Sequence, residues 1–116
     1  MEVQVERRSG CLVLRVIGDL RLWNCAEAEE ELLATIRSSL EEPPPRVVLN
    51  LQAVNHLDTR GIWGLVPVLV GCSKKKIGLR VIFPPGVPGE ALRRVRIFEP
   101  WPEFSDENAA IEAAGA

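Results

Sequence analysis

The chain has 116 residues, 47% apolar and 26% charged, with a formal net charge of −2. That length fits one domain over residues 1–116, which buries roughly two-thirds of its unfolded surface and so needs neither metal nor disulfide to fold. The charge balance argues against nucleic acid as a main partner, since such modules carry a basic excess, and no apolar run approaches the ~18 residues of a membrane span.

Met1 to Arg8 lacks the apolar stretch of a signal peptide, so a cytoplasmic protein without direct membrane insertion is expected. Cys11, Cys25 and Cys72 are odd in number and far apart, and the chain has one histidine. No metal site and no cofactor are expected, and the cysteines read as reduced, mostly buried small hydrophobes.

Val3 and Val5 alternate with polar residues and predict a half-buried edge strand. Arg8-Ser9-Gly10 predicts a tight turn into a second strand, Cys11 to Ile17, closed by Gly18-Asp19. Asn24 can cap a helix with Glu27 as its capping-box partner. Leu32, Leu33, Ile36 and Leu40 give that helix one apolar stripe, which must end before Pro43-Pro44-Pro45. Arg46 to Leu51 is a short apolar run, the pattern of a parallel strand buried on both faces.

Asp58-Thr59-Arg60-Gly61 leads into a second helix carrying Ile62, Trp63, Leu65, Val66, Leu69 and Val70. Pro67 should kink it, Lys74-Lys75-Lys76 suits its C-terminus, and Gly78 is a plausible stop. Leu79 to Phe83 predicts another strand, Glu90 to Val95 a short helix, and Trp101 to Phe104 a short final strand. Ser105 can cap a last helix with Asp106 and Glu107 in its first turn. The expected fold is α/β: a mixed, mostly parallel sheet of four to five strands with three to four helices.

Two sets of residues then suggest a family. The run Val47-Val48-Leu49-Asn50-Leu51, followed after a short connection by Asp58-Thr59-Arg60-Gly61-Ile62, resembles the signature of STAS domains, a buried strand and then D-[ST]-x-G before an apolar helix. Gly18, the strand Leu79 to Phe83, and Ile97-Phe98 ahead of an acidic-capped helix fit the same family, so the resemblance spans nearly the whole chain. Within it, the sequence is similar to bacterial anti-sigma factor antagonists. That resemblance implies a transcription-regulating protein-binding module that docks an anti-sigma factor or serine/threonine kinase protein. It also implies that Thr59 is a phosphoacceptor whose modification controls binding.

The chemistry of a Thr59 switch can be argued from the residues themselves. A hydroxyl at a helix start meets unpaired backbone N–H groups, and a phosphate gains those donors together with the positive end of the dipole. Roughly two added negative charges beside Asp58 would be costly to bury in a complex. The other reading of Thr59 is a helix cap or first-turn residue. Two positions depart from the family pattern: Arg60 stands where Ser or Thr often follows, and Arg21 stands where an Asp often precedes the first helix. Both alter the expected partner surface, which comprises Asp19, Arg21, Trp23, Asp58, Thr59, Arg60, Gly61 and Trp63. Trp23 and Trp63 suit either an interface hot spot or the core.

An alternative role is a non-phosphorylated STAS scaffold, a stressosome component or an accessory subunit of a membrane transporter, with other STAS proteins as partners. No enzymatic activity is expected. His56 reads as a loop histidine without a recognisable nucleophile motif around it. Arg93-Arg94-Val95-Arg96 reads as a solvated helix face or a small basic patch.

Overall fold

The computed structural model of the chain describes residues 2–20, 30, 34, 46–58, 66–74, 78–96 and 103–114. The expected hairpin forms from β1 (Glu2–Arg8) and β2 (Cys11–Leu20), antiparallel, with Arg8 opposite Cys11. Ser9 and Gly10 make its two-residue turn at φ 50° and 78°, a left-handed pair that matches the twist of the flanking strands. Three further strands, β3 (Arg46–Leu57), β4 (Gly78–Ile82) and β5 (Glu103–Phe104), add in parallel, giving a five-stranded mixed sheet in the order β1-β2-β3-β4-β5.

Among the described residues three helices flank it: α1 (Val66–Lys74), α2 (Val87–Val95) and α3 (Glu107–Ala114). Glu30 and Ala34 are also helical and exposed. The remainder of the helix expected there lies outside the described residues.

Because side chains alternate along a strand, a sheet buried on both faces sorts its residues into two cores. Leu12, Leu14 and Val16 join Val47, Leu49, Leu51, Leu79 and Val81 on one face, under Leu69 of α1 and Leu92 of α2. Cys11, Val13, Val48 and Ile82 occupy the other, under Ala110 of α3. Leu14 and Leu49 are fully buried, each contributing about 1.5–3 kcal/mol through burial.

β3 runs to Leu57, six residues past the expected end at Leu51, and β2 continues through Gly18 to Leu20. Both extensions depend on bulges. Between the pairs Arg15–Asn50 and Ile17–Ala53 the third strand carries one extra residue, and it carries another between Gly18–Val54 and Asp19–His56. Each extra residue reverses the alternation. The face holding Val47, Leu49 and Leu51 therefore continues through Val54 and Leu57, while Ala53 is exposed. Gly18 sits beside the second bulge at φ 105°, a conformation open to glycine.

Other boundaries also differ from expectation. Gly78 opens β4 and is not a helix stop, because its backbone is already in register with Arg46. α2 begins at Val87, three residues early, with Pro88 in its first turn, where a missing N–H costs nothing. Asp106 caps α3 in place of Ser105: its Oδ1 accepts the Ala109 N–H at 2.8 Å. Ser105 instead offers its carbonyl to Gln52 at 3.4 Å. Cys11 is a buried free cysteine; Cys25 and the side chain of Cys72 lie outside the described residues. The kink expected at Pro67 depends on residues 61–65, and they lie outside the described residues too.

Candidate functional site

In an open parallel sheet, binding sites form beyond the carboxyl ends of the strands, where connections diverge. β2 and β3 end side by side there, with Asp19 opposite His56 and Leu20 opposite Leu57. His56 Nδ1 lies 2.9 Å from Asp19 Oδ1. An ionised carboxylate only accepts, so the contact assigns the proton to Nδ1. His56 is therefore an exposed strand residue with an orienting carboxylate, not the loop histidine expected; the second bulge puts it opposite Asp19.

Asp58 follows at the end of β3. Together with Asn55, His56 and Leu57 it forms one wall of an open cleft of about 390 Å³, and Val87, Pro88 and Ala91 of α2 form the other. Val87 stands at the lip, 78% exposed. The N-terminal residue of α2 is preceded by Gly86 at φ 73°, with no side-chain cap. The positive end of that helix dipole thus borders the acidic wall.

Of the residues expected to form the partner surface, Asp19 and Asp58 are brought to this one edge. Arg21, Trp23, Thr59, Arg60, Gly61 and Trp63 lie outside the described residues. In sequence, Arg21 follows directly from the end of β2 and Thr59 directly from Asp58. The contribution of α2 was missed from sequence. The signal available for it was Pro88 at a helix start, next to an apolar residue with no place in the amphipathic pattern.

A second polar cluster lies on the opposite face, where α3 meets the sheet. Glu107 accepts from Arg15 at 2.6 Å and 2.7 Å, from Arg8 at 3.2 Å and from Asn50 at 2.5 Å. The hydrogen bonds from Arg15 hold its carboxyl below the usual carboxylate range, against the opposing effect of burial. Arg15 also reaches Glu6 at 2.6 Å, and both carboxylates keep its guanidinium protonated. Asn50 is buried, and its Oδ1 accepts the Gln52 N–H at 2.9 Å. Asn50 thus links the third strand to the last helix. Arg93 is not part of a free basic patch: it grips Glu103 at 2.6 Å and lies 5.1 Å from the centroid of the Phe83 ring.

Among the described residues no group of three or more His, Cys, Asp or Glu is placed to hold a metal ion. No helix among them is long and apolar enough to cross a membrane.

Comparison with protein families matches the STAS domain over residues 2–110. No curated protein matches the chain. Among solved structures, the anti-sigma factor antagonist SpoIIAA in its unphosphorylated form aligns with a TM-score of 0.73 at 19% identity, over 99% of both chains. The phosphorylated form of the Bacillus cell fate determinant SpoIIAA aligns at 0.70 and 18% identity, over 97% of this chain and 99% of that one. An anti-sigma factor antagonist from Mycobacterium paratuberculosis aligns at 0.78 and 21%, over 99% of this chain and 94% of that one. At these identities the likeness is one of fold.

Proposed function

This chain belongs to the STAS domain family, and on that premise we propose that it is a cytoplasmic, bacterial regulatory module that docks an anti-sigma factor or related serine/threonine kinase, with Thr59 as the phosphate-accepting switch. The observation that carries the reading is the position of Asp58. It lies at the carboxyl end of β3, on the wall of the cleft closed by α2, directly before Thr59 in sequence. Solved structures with this fold include SpoIIAA in both unphosphorylated and phosphorylated forms, so in that protein one fold accommodates the modification.

Local charge supplies the mechanism. Asp19 and Asp58 already place two carboxylates at the ends of adjacent strands. A phosphate on Thr59 adds roughly two more negative charges to the same edge. A partner that covers the edge must strip water from all of them, and a buried, unpaired dianion is strongly unfavourable. Phosphorylation then releases the partner without unfolding the sheet. The module works by binding and not by catalysis: the Asp19–His56 pair tethers two strand ends and, on this reading, belongs to the docking edge.

The test is direct. The purified chain and its Thr59→Ala variant are incubated with ATP and the serine/threonine-kinase anti-sigma factor of the same cells, then analysed by peptide mass spectrometry. One phosphate on Thr59 in the wild type and none in the variant is the expected result. An unmodified wild type, or equal phosphate on both proteins, refutes the switch.

A further inference from the structure

Among the described residues β1 is the outer strand of the sheet, seven residues long where β5 at the other edge has two. A long outer strand is a template for a further strand unless proline, a bulge or a cover blocks it. β1 contains no proline, and its register against β2 runs without a break from Glu2–Ile17 to Arg8–Cys11. The two-residue turn makes Arg8–Cys11 a hydrogen-bonded pair, so Glu2, Gln4, Glu6 and Arg8 bond inward to β2. The N–H and C=O groups of Val3, Val5 and Arg7 point along the outer edge. Val5 is 48% exposed, one of three exposed large apolar side chains among the described residues.

The geometry points to a second copy of this chain as the occupant of that edge, the two β1 strands pairing antiparallel about a two-fold axis at Val5. In that register Val5 faces Val5 of the second copy, Val3 faces Arg7, Gln4 faces Glu6, and Glu2 faces Arg8. The outward-pointing positions meet one another, as a hydrogen-bonded ladder requires. By symmetry the Glu2–Arg8 match occurs twice, and opposite charges directly across a ladder are favourable while like charges are not. The two neighbouring registers that also align outward positions fail this criterion. Shifted one way, Glu2 faces Glu6; shifted the other, Glu6 faces itself. The strand is self-complementary in one register only, and there it covers the exposed Val5 with its own copy. Arg8 keeps its bond to Glu107 beneath, since its side chain is 36% exposed and has donors to spare.

Analytical ultracentrifugation from about 10 μM to about 1 mM, the range where small interfaces associate, tests this with three chains. Val5→Pro removes an outward N–H and takes no bond from β2, and Val5→Lys sets two cations against each other without touching the core. The wild type should show a mass that climbs reversibly from monomer towards dimer. Both variants should stay monomeric at every loading with unchanged circular dichroism. If Val5→Pro alone loses its fold, Val5→Lys decides. A wild type that stays monomeric throughout overturns the proposal, whether or not the edge accepts some other peptide, and so does a dimer that persists in Val5→Lys.

Discussion

Replacing Glu107 with alanine should lower the unfolding free energy by about 3 kcal/mol, because it leaves the amide of buried Asn50 without its acceptor and Arg15 with Glu6 alone. Glu107 is 15% exposed and joins β1, β2 and β3 to α3 through four donors on three side chains. Glu107→Gln keeps an acceptor for one or two of them and should cost less. The two variants also separate charge from packing through pH. Its folded-state pKa is depressed by the Arg15 bonds, so the ionised carboxylate contributes its full stability above the unfolded value near ~4.3. That contribution fades as pH falls through the lower folded value. The gap between wild type and Glu107→Gln should therefore be widest at neutral pH and narrow as pH falls below the unfolded value and through the lower folded one. Urea melts at several pH values check this, and a gap independent of pH contradicts it.

Gly89→Ala tests the close approach of α2 to the Pro84 turn. A Cβ at Gly89 would collide with the carbonyl oxygen of Pro84 and lie 3.2 Å from the Arg93 guanidinium. Gly89 is the third residue of α2, where helix propensity alone favours alanine by at most about 1 kcal/mol. The collision is with backbone and cannot be relieved by a rotamer change, so a net loss of about 1–3 kcal/mol is expected, as for overpacked cores. The sign is the informative part. A stabilised variant would mean that α2 does not approach the Pro84 turn as described. The shift should also open the cleft, since Val87, Pro88 and Ala91 move with the helix.

Much of the fold could be read from alternation and punctuation. The hairpin announced itself through Ser9-Gly10, and the buried third strand through Val47 to Leu51. The acidic start of α3 was equally plain, though Asp106 and not Ser105 supplies the cap. The sequence hid the bulges. Gln52-Ala53 breaks the two-residue period, and a break of that kind reads as a strand end, whereas one extra residue lets the strand continue with its faces exchanged. That concealed six residues of β3, and with them the pairing of His56 with Asp19. Gly18 was the visible trace, a glycine where the chain needs a positive φ. Asn50 was legible as part of a family signature, but its bond to Glu107 spans 57 positions of sequence and no local pattern could specify it. Asp58 was recognised by its motif; its neighbours Val87 and Pro88 come from a helix thirty residues on, which only the folded sheet places beside it.

The most direct test of the central claim is a capture of partners from lysate of the source cells on immobilised wild type and Thr59→Glu, side by side, with bound proteins identified by mass spectrometry. The wild type should retain an anti-sigma factor bearing a kinase-type ATP-binding domain, and Thr59→Glu should release it while remaining folded. The same partners on both proteins, or a transporter or another STAS protein as the main one, would contradict the switch and make the Asp58 edge a static docking surface.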